Sequence, residues 1–234
     1  MMGKSSFCFK HFEVFHDRCA MKVGTDGVLL GAWVNPGNAK RILDVGAGSG
    51  LIALILAQRS MAQVDGVELD AEAAKQADEN VSNSPWAERM NIFEADFNDF
   101  QNEFYDLIVS NPPFFRKSLK APAKERNQAR HTDMLSYEML IQKSVQLLMP
   151  EGRFSVILPA DSSDDFEDLC WQNKLYLSKR CEVISVGGLA PKRVLLEFLL
   201  HRSTIERTSL ILETKDHKMT QQFSDLTADL YLDK

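Results

Sequence analysis

The chain has 234 residues, 44% of them hydrophobic, and a formal net charge of −6 at pH 7. That size and apolar content suit one α/β domain with a sizeable core, while the acidic balance excludes a protein that coats nucleic acid indiscriminately. No apolar run approaches the ~20 residues of a membrane span, and Met1–Phe7 carries no signal-peptide core, so a cytoplasmic protein is expected.

Apolar strand-like runs alternate with helical patterns, which predicts a mainly parallel sheet. Arg41–Val45 is the first strand, and Leu51–Gln58 a helix that buries Leu51, Leu54, Ile55 and Ala57. Val64–Leu69 is a second strand, Ala71–Asn83 an Ala- and Glu-rich helix, Asn91–Glu94 a short third strand and Tyr105–Ser110 a fourth. Leu135–Leu148 has the spacing of a long amphipathic helix, ended by Pro150 and Gly152. Arg153–Leu158 is a fifth strand and Phe166–Asn173 a helix. Leu175–Val186 and Arg193–His201 read as an antiparallel pair at the sheet edge. In the tail from Thr220 to Leu232, Phe223, Leu226, Leu230 and Tyr231 recur at helical spacing, which predicts docking on the body. The chain is expected to divide into an extension over 1–40, a core over 41–202 and a second extension over 203–234, all within one domain.

The loop after the first strand reads Asp44-Val45-Gly46-Ala47-Gly48-Ser49-Gly50. Glycines there permit a tight turn and close approach of a ligand, and the helix N-terminus behind them favours negative charge. The spacing is Gly-x-Gly-x-Gly, unlike the Gly-x-Gly-x-x-Gly of dinucleotide loops, and the Gly-Lys-Ser/Thr of a P-loop is absent. Asp44 supplies an acid beside the loop that suits a cationic ligand. Glu68, with Leu69 beside it, ends the second strand, where a carboxylate can accept two ribose hydroxyls. Asp96 and Phe97 follow the third strand. At the end of the fourth strand stands Ser110-Asn111-Pro112-Pro113-Phe114. An Asn side-chain oxygen and a backbone carbonyl held by proline can both accept from a planar amine, and Phe114 offers a ring for stacking. All four pieces fall at consecutive strand carboxyl ends, where ligands bind in open α/β sheets. The four cysteines (Cys8, Cys19, Cys170, Cys181) contain no Cys-x-x-Cys pair and the five histidines are scattered. No metal site is expected, and the cysteines suit a reduced compartment.

The glycine loop resembles motif I of S-adenosylmethionine-dependent methyltransferases, and Asn111-Pro112-Pro113-Phe114 resembles the catalytic tetrapeptide of those that methylate planar amino groups. With His16–Trp33, Ser84–Arg89 and Pro191–Leu196, the chain is similar over nearly its whole length to the bacterial tRNA1(Val) adenine-N6 methyltransferase family. The resemblance implies a Rossmann-like, seven-stranded class I methyltransferase fold, mostly parallel with an antiparallel last strand. It implies S-adenosylmethionine as cofactor and, as substrate, an adenosine next to the anticodon on its 3′ side (position 37) in the tRNA1(Val) anticodon loop. By the same resemblance Lys22, Thr25 and Asp26 border the methionine end of the cofactor. Gly46, Gly48 and Gly50 lie beneath it, Asp96 accepts from its adenine and Phe97 packs on that ring. Asn111, Pro112 and Phe114 are the catalytic residues, with Phe114 where many members have Tyr. Thr25 or Asp26 is also a natural helix cap, with Val28, Leu29 and Trp33 as core. The same Asn-Pro-Pro motif serves glutamine-N5 methyltransferases of translation factors. Those carry a separate helical N-terminal recognition domain, and here only about 40 residues precede the first strand. The motif is also compatible with guanine-N2 methylation of ribosomal RNA, and the glycine loop with a non-catalytic RNA- or cofactor-binding module. A monomer or weak dimer is expected.

Six bases (Arg116, Lys117, Lys120, Lys124, Arg126, Arg130) against the single acid Glu125 give a local +5 between Arg116 and His131. The run follows the Asn-Pro-Pro-Phe motif and is the first candidate for contacting RNA phosphates, with Lys10, Arg18, Lys192 and Arg193 as further candidates. Charge reversal at Lys117, Lys120 and Lys124 should weaken tRNA binding and flatten its salt dependence, leaving cofactor binding alone. A titration series in salt checks this, and an unchanged slope would place the RNA surface elsewhere.

Overall fold

The computed structural model describes residues 6–113 and 136–232. Phe114, Arg116, Lys117, Lys120, Lys124, Arg126 and Arg130 lie outside the described residues. A small antiparallel hairpin, β1 (Ser6–Cys8) and β2 (Glu13–Phe15), precedes α1 (Thr25–Trp33). Then come β3 (Arg41–Val45), α2 (Leu51–Gln58), β4 (Gln63–Glu68), α3 (Ala71–Ser82), β5 (Met90–Glu94) and β6 (Tyr105–Ser110). After the undescribed stretch follow α4 (Tyr137–Leu147), β7 (Leu148–Pro159), α5 (Ser163–Gln172), β8 (Tyr176–Val186), β9 (Arg193–Leu199), β10 (Glu206–Glu213) and α6 (Gln221–Leu226).

The main sheet has eight strands in the order β10-β8-β9-β7-β6-β3-β4-β5. Only β9 runs antiparallel to its neighbours, β7 and β8. Seven of these strands are the expected ones, with β9 as the antiparallel member. The expected pair β8 and β9 is antiparallel but does not form the edge. An additional strand, β10, pairs parallel to β8 from Glu206↔Lys179 to Glu213↔Val186 and takes that place. Its first four residues are exposed and only Leu210 is buried, so it lacks the alternation that betrays a half-buried strand. The fifth strand also begins earlier than expected. Leu148 leaves α4 directly into β7, and Pro150 and Gly152 fall where the register with β6 shifts between Tyr105 and Leu107.

Side chains alternate between two cores, one on each face of the sheet. Ile42, Leu107 and Val109 point into one with α1 and α2, while Leu43, Val45 and Ile108 point into the other with Tyr137, Leu140 and Phe166. Every residue from Leu51 to Ala57 is buried, more than the four expected, because α2 is covered by α1 as well as by the sheet. Gly27 and Gly31, one turn apart on α1, make this contact possible: a Cβ at Gly31 would lie 2.9 Å from Ile55 Cγ2. The close approach fixes α1, and with it Thr25 and Asp26 at its start. No helix among the described residues is long and apolar enough to cross a membrane.

The tail docks on the α1/α2 face as expected, through a helix shorter than its periodicity suggests. Thr220 caps α6 by accepting the Phe223 N–H at 3.2 Å, and Phe223 and Leu230 are buried. Lys10 N–H donates to the Leu230 carbonyl at 2.8 Å and Gln58 Nε2 to that of Asp229 at 2.7 Å. Leu230→Ala should cost about 2–5 kcal/mol, the range for a fully buried leucine. Urea unfolding checks this, and parental stability would mean that the tail is not part of the core.

Candidate active site at the strand carboxyl ends

Parallel pairing brings the ends of three strands together. Val45 stands opposite Val67 on β4 and opposite Ser110 on β6. The Ser110 hydroxyl, buried, donates to the Val45 carbonyl at 2.8 Å and ties the start of Asn-Pro-Pro to the start of the glycine loop. The Gly46 and Ala47 N–H groups donate to the Val67 carbonyl at 2.9 and 3.1 Å, so the chain turns back at once after β3. Gly46, Gly48 and Gly50 have φ of 72°, 55° and 79°, a left-handed region that side chains rarely adopt. A Cβ at Gly46 or Gly48 would meet nothing within 4 Å, so the loop leaves open space above itself.

Two acids stand at the strand ends beside this loop. Glu68 Oε2 accepts the Gly48 N–H at 2.8 Å and Oε1 the Asp70 N–H at 3.0 Å. Each carboxylate oxygen keeps a further lone pair. Asp44 is fully buried; its Oδ2 accepts the Ala53 N–H at 3.0 Å, in the first turn of α2, and its Oδ1 has no partner. Burial pushes its carboxyl up to about 7, with the charge of Glu68 adding to the rise.

Asn111 follows β6 and is partly exposed, yet its Oδ1 is buried without a hydrogen-bond partner. Such an acceptor costs about 1–3 kcal/mol unless something arrives to use it. Pro112 beside it is buried and Pro113 exposed.

The remaining candidates stand less simply. Neither Thr25 nor Asp26 caps α1; the N-cap is Gly24, which has no side chain to bond the first turn, and Asp26 is engaged elsewhere. Its Oδ2 accepts from Arg193 Nε at 2.8 Å. That pairs a residue expected beside the cofactor with one expected on the RNA surface. Arg193 also donates to the Lys192 carbonyl at 3.1 Å. Lys192 and Lys22 are exposed. Leu69 is 49% exposed at the end of β4. Asp96 is exposed, and its Oδ1 accepts both the backbone and side-chain N–H of Asn98 at 2.8 Å, an Asx turn. Phe97 is buried in the core with its ring 6.4 Å from Phe100. Gln76 and Asn80 on α3, each 1% exposed, were not anticipated. Their only signal was two amides one turn apart on an otherwise Ala-lined helix face.

Three comparisons bear on what this arrangement serves. Residues 19–163 match the methyltransferase small domain family. The chain is 46% identical to a tRNA1(Val) (adenine(37)-N6)-methyltransferase of Bacteroides fragilis, covering 99% of both chains. It is 43% identical to the protein of that name from Pectobacterium carotovorum, over 99% of this chain and 95% of that one. Among solved structures, one described as a predicted O-methyltransferase from Agrobacterium tumefaciens superposes with a TM-score of 0.71 at 21% identity, covering 88% of this chain and 96% of that one. A T. thermophilus 16S rRNA N2 methyltransferase, solved with AdoMet and guanosine, gives 0.59 at 18%, covering 83% and 50%. At such identities these two establish the fold alone.

The buried Asp44 makes stability pH-dependent. An acid whose native value lies above its ordinary 3.8 favours folding while protonated, and that contribution is lost as pH rises from about 4 towards about 7. Asp44→Asn keeps an acceptor for Ala53 and removes the titration. In ligand-free protein, the stability of the variant relative to the parent should therefore climb through this window, by ~1.4 kcal/mol per unit of difference between native and unfolded values. Denaturant unfolding at a series of pH values checks it; a pH-independent offset would contradict it.

Proposed function

We propose, since the chain belongs to the tRNA1(Val) (adenine(37)-N6)-methyltransferase family, that it methylates N6 of adenosine 37, 3′ of the anticodon, in a valine tRNA. The chain is an S-adenosylmethionine-dependent methyltransferase with a Rossmann-like class I fold. The observation that carries the substrate reading is the buried, unpartnered Oδ1 of Asn111, tethered beside the glycine loop through Ser110.

The chain's residues fit the cofactor. The space above Gly46 and Gly48 admits a ligand close to the backbone. The free lone pairs of Glu68 suit ribose hydroxyls, and the unpartnered Oδ1 of Asp44 suits the positive side of a sulfonium and an ammonium. Lys22, Thr25 and Asp26 would border the methionine end, and Leu69 and Asp96 the nucleoside end. S-adenosylmethionine supplies a methyl group already activated on sulfur and leaves as a neutral thioether.

What remains for the protein is orientation. The lone pair of an exocyclic amine is delocalised into its ring, so the nitrogen attacks poorly until that delocalisation is reduced. Asn111 Oδ1 and the Pro112 carbonyl are assigned to accept the two N–H bonds of the amine, turning its lone pair toward the methyl carbon. These hydrogen bonds strengthen as the nitrogen gains positive charge, which is the condition for accelerating the step. Phe114 is assigned to stack on an adenine splayed out of the anticodon loop.

Asn111→Ala should slow methyl transfer to an anticodon stem-loop by roughly a hundredfold or more in single turnover. Cofactor binding, measured alongside, should persist. Near-parental transfer would make the Asn-Pro-Pro-Phe segment structural and end the amino-methyltransferase reading.

A further inference from the structure

Helix α3 touches both the glycine loop and the segment of residues 15–19. Asn80 accepts the Phe15 N–H at 3.0 Å and donates through Nδ2 to the carbonyls of Phe15 at 2.8 Å and Ser49 at 2.9 Å. One turn earlier, Gln76 accepts the Arg18 N–H at 3.0 Å and the Cys19 thiol at 3.1 Å, and donates to Asp17 Oδ1 at 2.7 Å. Between them Ala77 packs under the glycine loop, its Cβ 3.4 Å from where a Cβ on Gly50 would stand. A spacing of four residues puts both amides on one helix face. That face thus grips the strap of residues 15–19 and the glycine loop together. The strap continues to Lys22 and Thr25, and the Nδ1 of its His16 accepts the Val23 N–H at 3.3 Å.

The amide is chemically required at position 80. It must accept one bond and donate two, all in a buried place. A carboxylate there would accept from Phe15 but would face two carbonyl oxygens with no hydrogen to give. At position 76 the donor half is what meets the carboxylate of Asp17. Buried polar groups that lose such partners are costly, so this pairing defines where the strap can sit.

We propose that Gln76 and Asn80 are positioning residues for the cofactor site. They hold the 15–19 strap and the Gly46–Gly50 loop in one register, and so set cofactor affinity without touching the cofactor. The inference rests on the proposed function, in which this loop and the Lys22–Asp26 segment border S-adenosylmethionine.

The test exchanges the two groups that meet. Gln76→Glu sets a carboxylate against Asp17, and Asp17→Asn in the same chain restores a donor facing an acceptor. Calorimetry with S-adenosylmethionine, below the unfolding temperature, should show Q76E binding ~10-fold or more weaker, and D17N/Q76E recovering most of that loss. With saturating cofactor, kcat should change less than the KM for cofactor. A merely structural role would lower the melting temperature of both variants and leave the affinity of the folded fraction alone. Should Q76E not fold, Asp17→Ala probes the same bond from an exposed residue, and should weaken cofactor binding ~3-fold. Unchanged affinity in folded Q76E or in D17A, or a double variant no better than Q76E, overturns the proposal. Parental protein that binds no S-adenosylmethionine would instead overturn the cofactor reading on which it stands.

Discussion

The turn at the end of β3 is the constraint on which the site depends. Parallel pairing with β4 and β6 leaves Val45, Val67 and Ser110 side by side, and each neighbour then holds the turn. Val67 accepts two N–H groups of the glycine loop, and Ser110 donates to Val45 from the other side. The two bonds to Val67 run from backbone to backbone and depend on register alone, while the third also needs the Ser110 hydroxyl. A slip of one residue in either strand would separate Asn111 from the open space above Gly48 and would exchange that strand's side chains between the two cores. The two hydrophobic cores therefore enforce the geometry that the chemistry uses.

Within that frame, the chain tolerates polar groups that folding alone would not choose. Asp44 is fully buried with one carboxylate oxygen unpartnered, and Asn111 carries a buried carbonyl oxygen with no donor. Both stand at carboxyl ends of adjacent strands and both are acceptors. Their surroundings differ in what they invite. A carboxyl held near neutrality responds to a cation, while an uncharged amide oxygen waits for an N–H. Other buried polar groups are engaged, as with Asn80 and Gln76 on α3, or the Glu197 carboxylate between Arg153 and Lys179.

Features carried by local pattern were legible in the sequence. The central strands are apolar runs of the right length, and the glycine loop and Asn-Pro-Pro sit at their ends, so the position of the site follows from order along the chain. Contacts between distant segments were not. The Asp26–Arg193 ion pair joins residues 167 apart and has no local signature. β1 and β2 have three residues each, too few for any periodicity to register. β10 is mostly exposed, and its strand character comes from β8 offering a free edge. Asp96 has a local role that the sequence did not single out, an Asx turn made through Oδ1. The place of α3 as a shared mount for strap and loop depends on which face packs inward, and composition alone does not reveal that.

The central claim is that this arrangement presents an adenine amine, and no other planar nitrogen, to the methyl donor. It is tested most directly by incubating unmodified total tRNA with the protein and S-adenosylmethionine carrying a heavy methyl group, then resolving the nucleosides by mass spectrometry. The account predicts label in N6-methyladenosine alone, located beside the anticodon of a valine tRNA. Label in N2-methylguanosine, or in no nucleoside while a protein glutamine is methylated, would contradict it.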